Sequence, residues 1–308
     1  MRVLVTGASG WIGSAVVPGL LEAGHQVVGL ARSDASADAL TTAGAEVVRG
    51  TLDDLGVLRE AADAADGVIH LAFKHDIAFS GDFQGAADAD RLAVETLGEA
   101  LAGSDRPFVS ASGTPAEPGR VVTEEDGHDI DPAARGEGLQ ARQATAEWAL
   151  ALASRGVRSS VGRIPRTAHG EGDKGFIATL VAIARDKGVS GYPGAGTDRW
   201  PAVHRLDAAR LFHLALEQAP AGTTLHAVAD EGVPLRAVAE VIGRHLDVPV
   251  VSVPPEDTAG HFGWLAPVLT ADQPASAALT RELTGWRPAM PSLIEDLEKG
   301  HYFRAPST

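Results

Sequence analysis

The stretch VTGASGWIG at residues 5–13 constrains this chain more than any other. Gly7, Gly10 and Gly13 stand between an aliphatic run, RVLVTG, and an amphipathic segment, WIGSAVVPGLLEAG. Missing side chains at the end of a strand let backbone amides and the start of the next helix meet a pyrophosphate. Glycine spacing alone is weak evidence, and its place at the head of a strand, turn and helix series makes it specific. The residues of this turn expected to contact a dinucleotide are Gly7, Ser9, Gly10, Trp11, Ile12 and Gly13.

The series continues. HQVVGLA, AEVVRG, GVIHLAF, RPFVSAS and RSSVGRIP read as strands, separated by helical patterns near 34–43, 54–65, 85–102 and 137–155. Strands apolar on both faces and divided by helices predict a parallel sheet covered on each side, a Rossmann-type doubly wound α/β fold. Beyond about residue 165 the order loosens into Gly- and Pro-rich loops, HGEGDKG and YPGAGTDRWP, with short helices at about 205–218, 234–246 and 275–284. We read 1–165 as a dinucleotide-binding domain and 166–308 as a smaller substrate-binding lobe, allowing the chain to cross back to the sheet.

Composition narrows the partners. A net charge of −15 opposes nucleic acid or an anionic membrane surface. The chain has no cysteine, so disulfides and thiolate chemistry are excluded. No apolar run approaches membrane-spanning length and no basic-then-apolar leader opens the chain, so a cytoplasmic location is expected. Histidines and acids show no HExxH-like spacing, so no metal is expected, and GxSxG is absent.

The end of the second strand selects the dinucleotide. An acid there would hold the ribose hydroxyls of NAD, but the chain places Ala31, then Arg32 and Ser33, a cation and a hydroxyl suited to the 2′-phosphate of NADP. Asp34 is the acid that could rotate in instead. Leu52 and Asp53, after the third strand, are placed to meet the adenine edge, and Asp53 is also a candidate helix N-cap.

The glycine spacing, LDD at 52–54, HLA at 70–72, SAS at 110–112, VGRIP followed by HG, and a late GWRP together resemble the extended or atypical short-chain dehydrogenase/reductase family, which includes NAD-dependent epimerases and dehydratases. The resemblance implies that Leu71, Ala72 and Phe73 line the cofactor. It implies that Ser112, with Ser110 and Thr114 beside it, offers a hydroxyl to the substrate oxygen. Pro165, Arg166 and Thr167 are expected at the nicotinamide end, and His204 and Asp207 as structural elements at the lobe boundary.

Members of that family usually carry Tyr, three residues, then Lys on the helix after the Ser-bearing strand. Anchoring on Glu147, which resembles the acid four residues past the Lys, puts Gln143 at the Lys position and Leu139 at the Tyr position. The chain's tyrosines are Tyr192 and Tyr302, both far from that helix. Gln143 can still hydrogen-bond a ribose hydroxyl, with Leu139 as an apolar wall. Arg142 points about 100° away from Gln143 on an ideal helix, Arg135 could share the face of Gln143 if the helix began early, and each is expected on a solvated face or in an ion pair. His75 and His169 are the candidate replacement proton donors, and Lys174 and Tyr192 could reach in from the lobe.

The expected activity is NADP-dependent reduction of a carbonyl, imine or activated alkene. The alternatives are a redox-silent NADP-binding sensor or scaffold, and an epimerase, dehydratase or isomerase. Phe73, Phe79, Phe176, Tyr192 and Trp200 would border a pocket for a small apolar or aromatic substrate. The Ala-rich faces of 85–102 and 137–155 suggest a homodimer.

Overall fold

The computed structural model describes residues 1–117 and 119–304. The first half alternates strand and helix: β1 (Arg2–Thr6), α1 (Gly13–Glu22), β2 (Gln26–Ala31), α2 (Asp34–Thr42), β3 (Glu46–Arg49), α3 (Leu55–Asp63), β4 (Gly67–His70), α4 (His75–Phe79), α5 (Phe83–Leu101), β5 (Pro107–Gly113), α6 (Leu139–Ala151) and β6 (Arg158–Ile164). Local chemistry sets the boundaries. Ser33 caps α2 by accepting from the amide of Ser36, and Asp82 caps α5 through the amide of Gly85. The residue at the start of α3 is Asp54, which accepts from the amide and hydroxyl of Thr51, so the N-cap position expected of Asp53 belongs to its neighbour.

Seven parallel strands, the six above and β10 (Thr223–His226), form the central sheet in the order β10-β6-β5-β4-β1-β2-β3, the Rossmann-like arrangement that the strand pattern predicts. Helices α3, α5 and α6 cover one face over Leu4, Leu58, Val94, Leu97 and Phe108. The other face is closed by α1 and by α8 (Arg205–Gln218) over Val16, Leu20, Leu211 and Phe212. Burial of such side chains on both faces explains why the strands carry no polar alternation.

After β6 the chain leaves the sheet through β7 (Thr167–His169), α7 (Phe176–Lys187), β8 (Ser190–Pro193) and β9 (Arg199–His204), then returns. Helix α8 lies on the sheet beside α1, and β10 (Thr223–His226) pairs with β6 from Thr223↔Ser160 to His226↔Arg163. Residues 205–226 therefore belong to the sheet layer, so the chain crosses the boundary drawn at 165. Strand β11 (Asp230–Pro234), α9 (Leu235–Leu246), β12 (Val250–Val253) and short helices complete the lobe, which has its own core around Ile177, Trp200, Val238 and Leu293. Asp207 accepts from the amides of Ala289 and Met290, and its own carbonyl accepts from the indole of the buried Trp286, fastening α8 to the segment that follows residue 285. No helix among the described residues is long and apolar enough to cross a membrane.

Candidate active site

The glycine turn has the shape of a phosphate cradle. Gly7 sits at φ +65°, and a Cβ there would lie 2.8 Å from the amide nitrogen of Ala72. At Gly13 a Cβ would fall 2.1 Å from the carbonyl oxygen of Gly7. Only glycine fits either position, because the backbone of Leu71 and Ala72 packs where a side chain at Gly7 would stand and that of Gly7 and Ala8 where one at Gly13 would. Helix α1 begins without a side-chain cap, and the amides of Trp11 and Ile12 donate to no backbone acceptor among the described residues. Ser9 and Gly10 are exposed at the turn, while Ile12 is buried. The Trp11 indole donates to the carbonyl of Ala168 at 2.8 Å, and Arg205 stacks on its ring at 4.5 Å, so this side chain ties the turn to β7. Leu71 and Ala72 close the other side, the amide of Ala72 donating to Thr6 Oγ1 at 3.3 Å.

At the end of β2, Arg32 is exposed and pairs with Asp76 at 3.0 Å. Ser33 points into its own cap. Asp34 is bound to Arg49, the residue opposite Ala31 in the β2–β3 register, so the acid that could have rotated in is already engaged. Leu52 is buried, and the exposed Asp53 takes both of its carboxylate oxygens to Lys74 Nζ at 2.6 Å.

The centre of the site is a buried polar chain. Thr6 Oγ1 meets His70 Nδ1 at 2.8 Å, His70 Nε2 meets Asp90 Oδ1 at 3.2 Å, and Asp90 Oδ2 meets Arg142 Nη1 at 2.6 Å. Burial opposes ionisation of Asp90, but Arg142 and His70 outweigh it and hold the carboxyl below its ordinary value. Arg142 also donates to the carbonyl of Ala111 at 3.2 Å and lies 4.2 Å from the ring centroid of Phe73. Arg142 is thus turned into the carboxyl ends of β4 and β5, in the ion pair and not on the solvated face of the two placements expected for it. The cause is the long guanidinium stem, which reaches a fully buried acid on α5.

Ser112, at the end of β5, is 8 % exposed, with no side-chain hydrogen bond recorded among the described residues. Ser110 lies deeper, opposite His70 in the sheet register. Gln143 is half-buried and makes no side-chain hydrogen bond among the described residues, whereas Leu139 is 76 % exposed. The wall expected of Leu139 is not formed, because α6 begins at that residue, two positions later than the sequence pattern suggested, and Leu139 occupies the outward first turn. Arg135 is outside as well, paired with Glu95.

His75 lies at the accessible edge, packed between Phe73 and Phe79. Its burial against them and the charge of Arg142 lower its pKa, so at neutral pH it is an uncharged imidazole. His169 is fully buried in the lobe with Nδ1 on Asp296 at 3.0 Å, so the expectation that it donates a proton to substrate is dropped. Pro165 and Thr167 are buried at the end of β6 and in β7, and the partly exposed Arg166 between them donates to the carbonyl of Val268. Tyr192 stands apart with Arg236 near its ring. The other expected pocket aromatics join a row that sequence reasoning did not complete: Phe73, His75, Phe79, Trp264, Phe176 and Trp200, each ring centroid 5.0–6.0 Å from the next. The row crosses from the sheet half into the lobe.

Sequence reasoning missed Asp90, His70 and Lys74. A signal for Asp90 was present, since it lies on the same stripe of α5 as Ala86, Ala87, Ala93, Val94 and Leu97, where an acid has no business unless it is paired. The expectation of no metal rested on sequence spacing, yet the fold brings His25, His213 and Glu217 together, with ligand-type atoms within 4.8 Å of one another. That trio lies at the amino ends of the strands, the opposite edge of the sheet from Ser112.

A glycine cradle at the carboxyl end of a parallel sheet, with a lobe laid over it, defines a Rossmann-fold protein of the dinucleotide-binding type. The NAD dependent epimerase/dehydratase family matches residues 3–228, and the chain belongs to that family, among the extended short-chain dehydrogenases/reductases. It is 45% identical over 98% of its length to the whole of an uncharacterized protein of Schizosaccharomyces pombe. It is 28% identical, over 70% of this chain and 66% of the relative, to a 2-alkyl-3-oxoalkanoate reductase of Stenotrophomonas maltophilia. The solved structure of a DesIV double mutant, a dTDP-glucose 4,6-dehydratase from Streptomyces venezuelae with NAD bound, superimposes with a TM-score of 0.76 at 20% identity, covering 98% of this chain and 96% of that one.

Proposed function

We propose that this chain is an NADP-dependent reductase of a carbonyl, imine or activated alkene, in which a fixed guanidinium stands in for the Tyr and Lys of the family. The observation that carries the reading is Arg142, held by the buried Asp90 and turned in beside the carbonyl that precedes Ser112. The reductase name of the Stenotrophomonas relative supports the reaction class.

The cofactor's pyrophosphate suits the turn from Gly7 to Gly13 and the amides of Trp11 and Ile12. Arg32 and Ser33 suit a 2′-phosphate, with Arg32 exchanging Asp76 for it, while Asp34 is occupied by Arg49. Leu52, Asp53, Leu71, Ala72, Phe73, Ser110, Gln143, Pro165 and Thr167 border the remaining surface. When bound there, NADPH supplies the hydride. Ser112 orients the substrate oxygen through its hydroxyl. Arg142 presents positive charge where negative charge grows on that oxygen, and because Asp90 already fixes the guanidinium, little reorganisation is needed. His75 contributes an uncharged ring N–H at the accessible edge, and the proton for the product oxygen passes through Ser112 or water from outside. The alanines on which the homodimer was expected to form, among them Ala86, Ala93, Ala144 and Ala149, are buried within the chain, so in this reading two copies pair through the outer faces of α5 and α6.

The test is titration with NADPH and NADH, followed by steady-state kinetics on carbonyl substrates. Arg32→Ala should weaken NADPH binding by about 10- to 100-fold and NADH binding little. Ser112→Ala should lower kcat/KM by about 10- to 1000-fold at unchanged NADPH affinity. Equal affinity of the parent protein for both dinucleotides defeats the NADP assignment, and undiminished turnover in Ser112→Ala defeats the role of Ser112. A monomer mass by light scattering defeats the dimer.

A further inference from the structure

Three of the arginines in this half of the structure are matched to acids. Arg142 has Asp90 at 2.6 Å, Arg199 has Asp272 at 2.8 Å, and Arg163 has Glu147 at 3.8 Å. Arg166 has none among the described residues. Its recorded hydrogen bond is from Nη1 to the carbonyl oxygen of Val268 at 2.5 Å, and its guanidinium lies 5.3 Å from the ring centroid of the buried Trp200. A guanidinium carries five N–H donors, so most of its bonding capacity is unspent. Burial alone brings its pKa down to about 10, which leaves it fully charged at neutral pH. A cation withdrawn from water without a counter-charge is an unfavourable arrangement that an incoming anion would relieve.

The surroundings say what that anion is attached to. Trp200 is followed outward by Phe176 and then Trp264, which is 60 % exposed and meets Phe79, itself 65 % exposed. Large aromatics this exposed in a cleft mark a surface for an apolar partner. We infer that Arg166 anchors a carboxylate borne by a flat, apolar substrate that lies along Phe176 and Trp264. The inference rests on the proposed reductase only for calling the occupant a substrate. A planar fork with a carbonyl already on one side matches a carboxylate's two oxygens, whereas phosphate is better served by the several backbone amides of the glycine turn.

The experiment uses 2-naphthoate and its uncharged analogue 2-naphthamide as probes, read by quenching of tryptophan fluorescence in the full chain, with NADPH titrated into the same samples. The acid should bind at least about tenfold more tightly than the amide, the scale of one charge-assisted contact. Arg166→Met should erase that preference and Arg166→Lys should retain part of it, with the thermal midpoint of each variant checked to show that it is folded. Equal binding of acid and amide by the parent, binding of neither, or a preference that survives in folded Arg166→Met overturns the inference. Acid preference without NADPH binding would leave the anion site standing and remove the cofactor reading. NADPH binding without acid preference would do the reverse.

Discussion

Arg142 and Arg166 stand at the two ends of one aromatic row, each against a ring, and the protein treats them oppositely. Arg142 is matched to a fully buried acid that is itself held by His70, whose other ring nitrogen meets Thr6. Arg166 has a carbonyl and a ring. The difference separates a charge that belongs to the folded structure from a charge that the fold carries without using. Removing one partner of a buried pair leaves the other stranded, whereas removing a cation with no partner strands nothing.

The sharpest test of that contrast is Arg142→Met beside Arg166→Met. The first should destabilise the protein by about 3–5 kcal/mol, because Asp90 is left buried with only His70 beside it. The second should change stability by less than about 1 kcal/mol in either direction. Urea midpoints at constant slope read both, and similar losses in the two variants would erase the distinction.

Approaching the same pair from its acid, Asp90→Asn should cost about 2 kcal/mol at neutral pH, less than Arg142→Met because Arg142 keeps a route to solvent. The pH dependence has a defined sign. Asp90 has a depressed pKa in the folded state, so its contribution is fully present above the unfolded carboxyl value of about 3.9 and is lost as pH falls through the lower folded value. The stability gap between parent and Asp90→Asn should therefore hold from neutral pH to about 4 and close below it. A gap that narrows between pH 7 and 5 would show that Asp90 is not the titrating partner.

The smallest effect is expected at the ring. Phe73→Leu keeps an apolar side chain under Arg142 but removes the aromatic face, and should cost about 1 kcal/mol. A loss as large as that of Arg142→Met would mean that the ring, not the acid, holds the guanidinium.

The sheet half was legible because its rules are local. Both-face apolar strands and glycines at a strand end are each visible within a few residues. Arg142 was not, because the wheel that placed Gln143 inward treats every side chain as equally short, and the acid that draws Arg142 in lies on another helix. The same limit hid the row of rings: Trp264 and Phe79 meet across the cleft from segments nearly two hundred positions apart in the chain. In the lobe, FIATLVAIARDK forms α7 in full, although the glycines and prolines around it suggested only loops. Strand β10 went unrecognised because its four residues, TTLH, become a strand only by pairing with β6.

That return of the chain to the sheet bears on how such a protein can diversify. Residues 205–226 close one flank and one edge of the sheet, so a polypeptide ended after 165 would expose the backbone of β6 and the underside that α8 covers, an invitation to aggregate between chains. The lobe therefore cannot be shed or exchanged as one cassette. Its sequence is free to drift in two insertions, before residue 205 and after 226, stitched around a fixed helix and strand. Both insertions reach the row of rings, one bringing Phe176 and Trp200 and the other Trp264. A new substrate preference can thus arise from either side without disturbing the turn at Gly7.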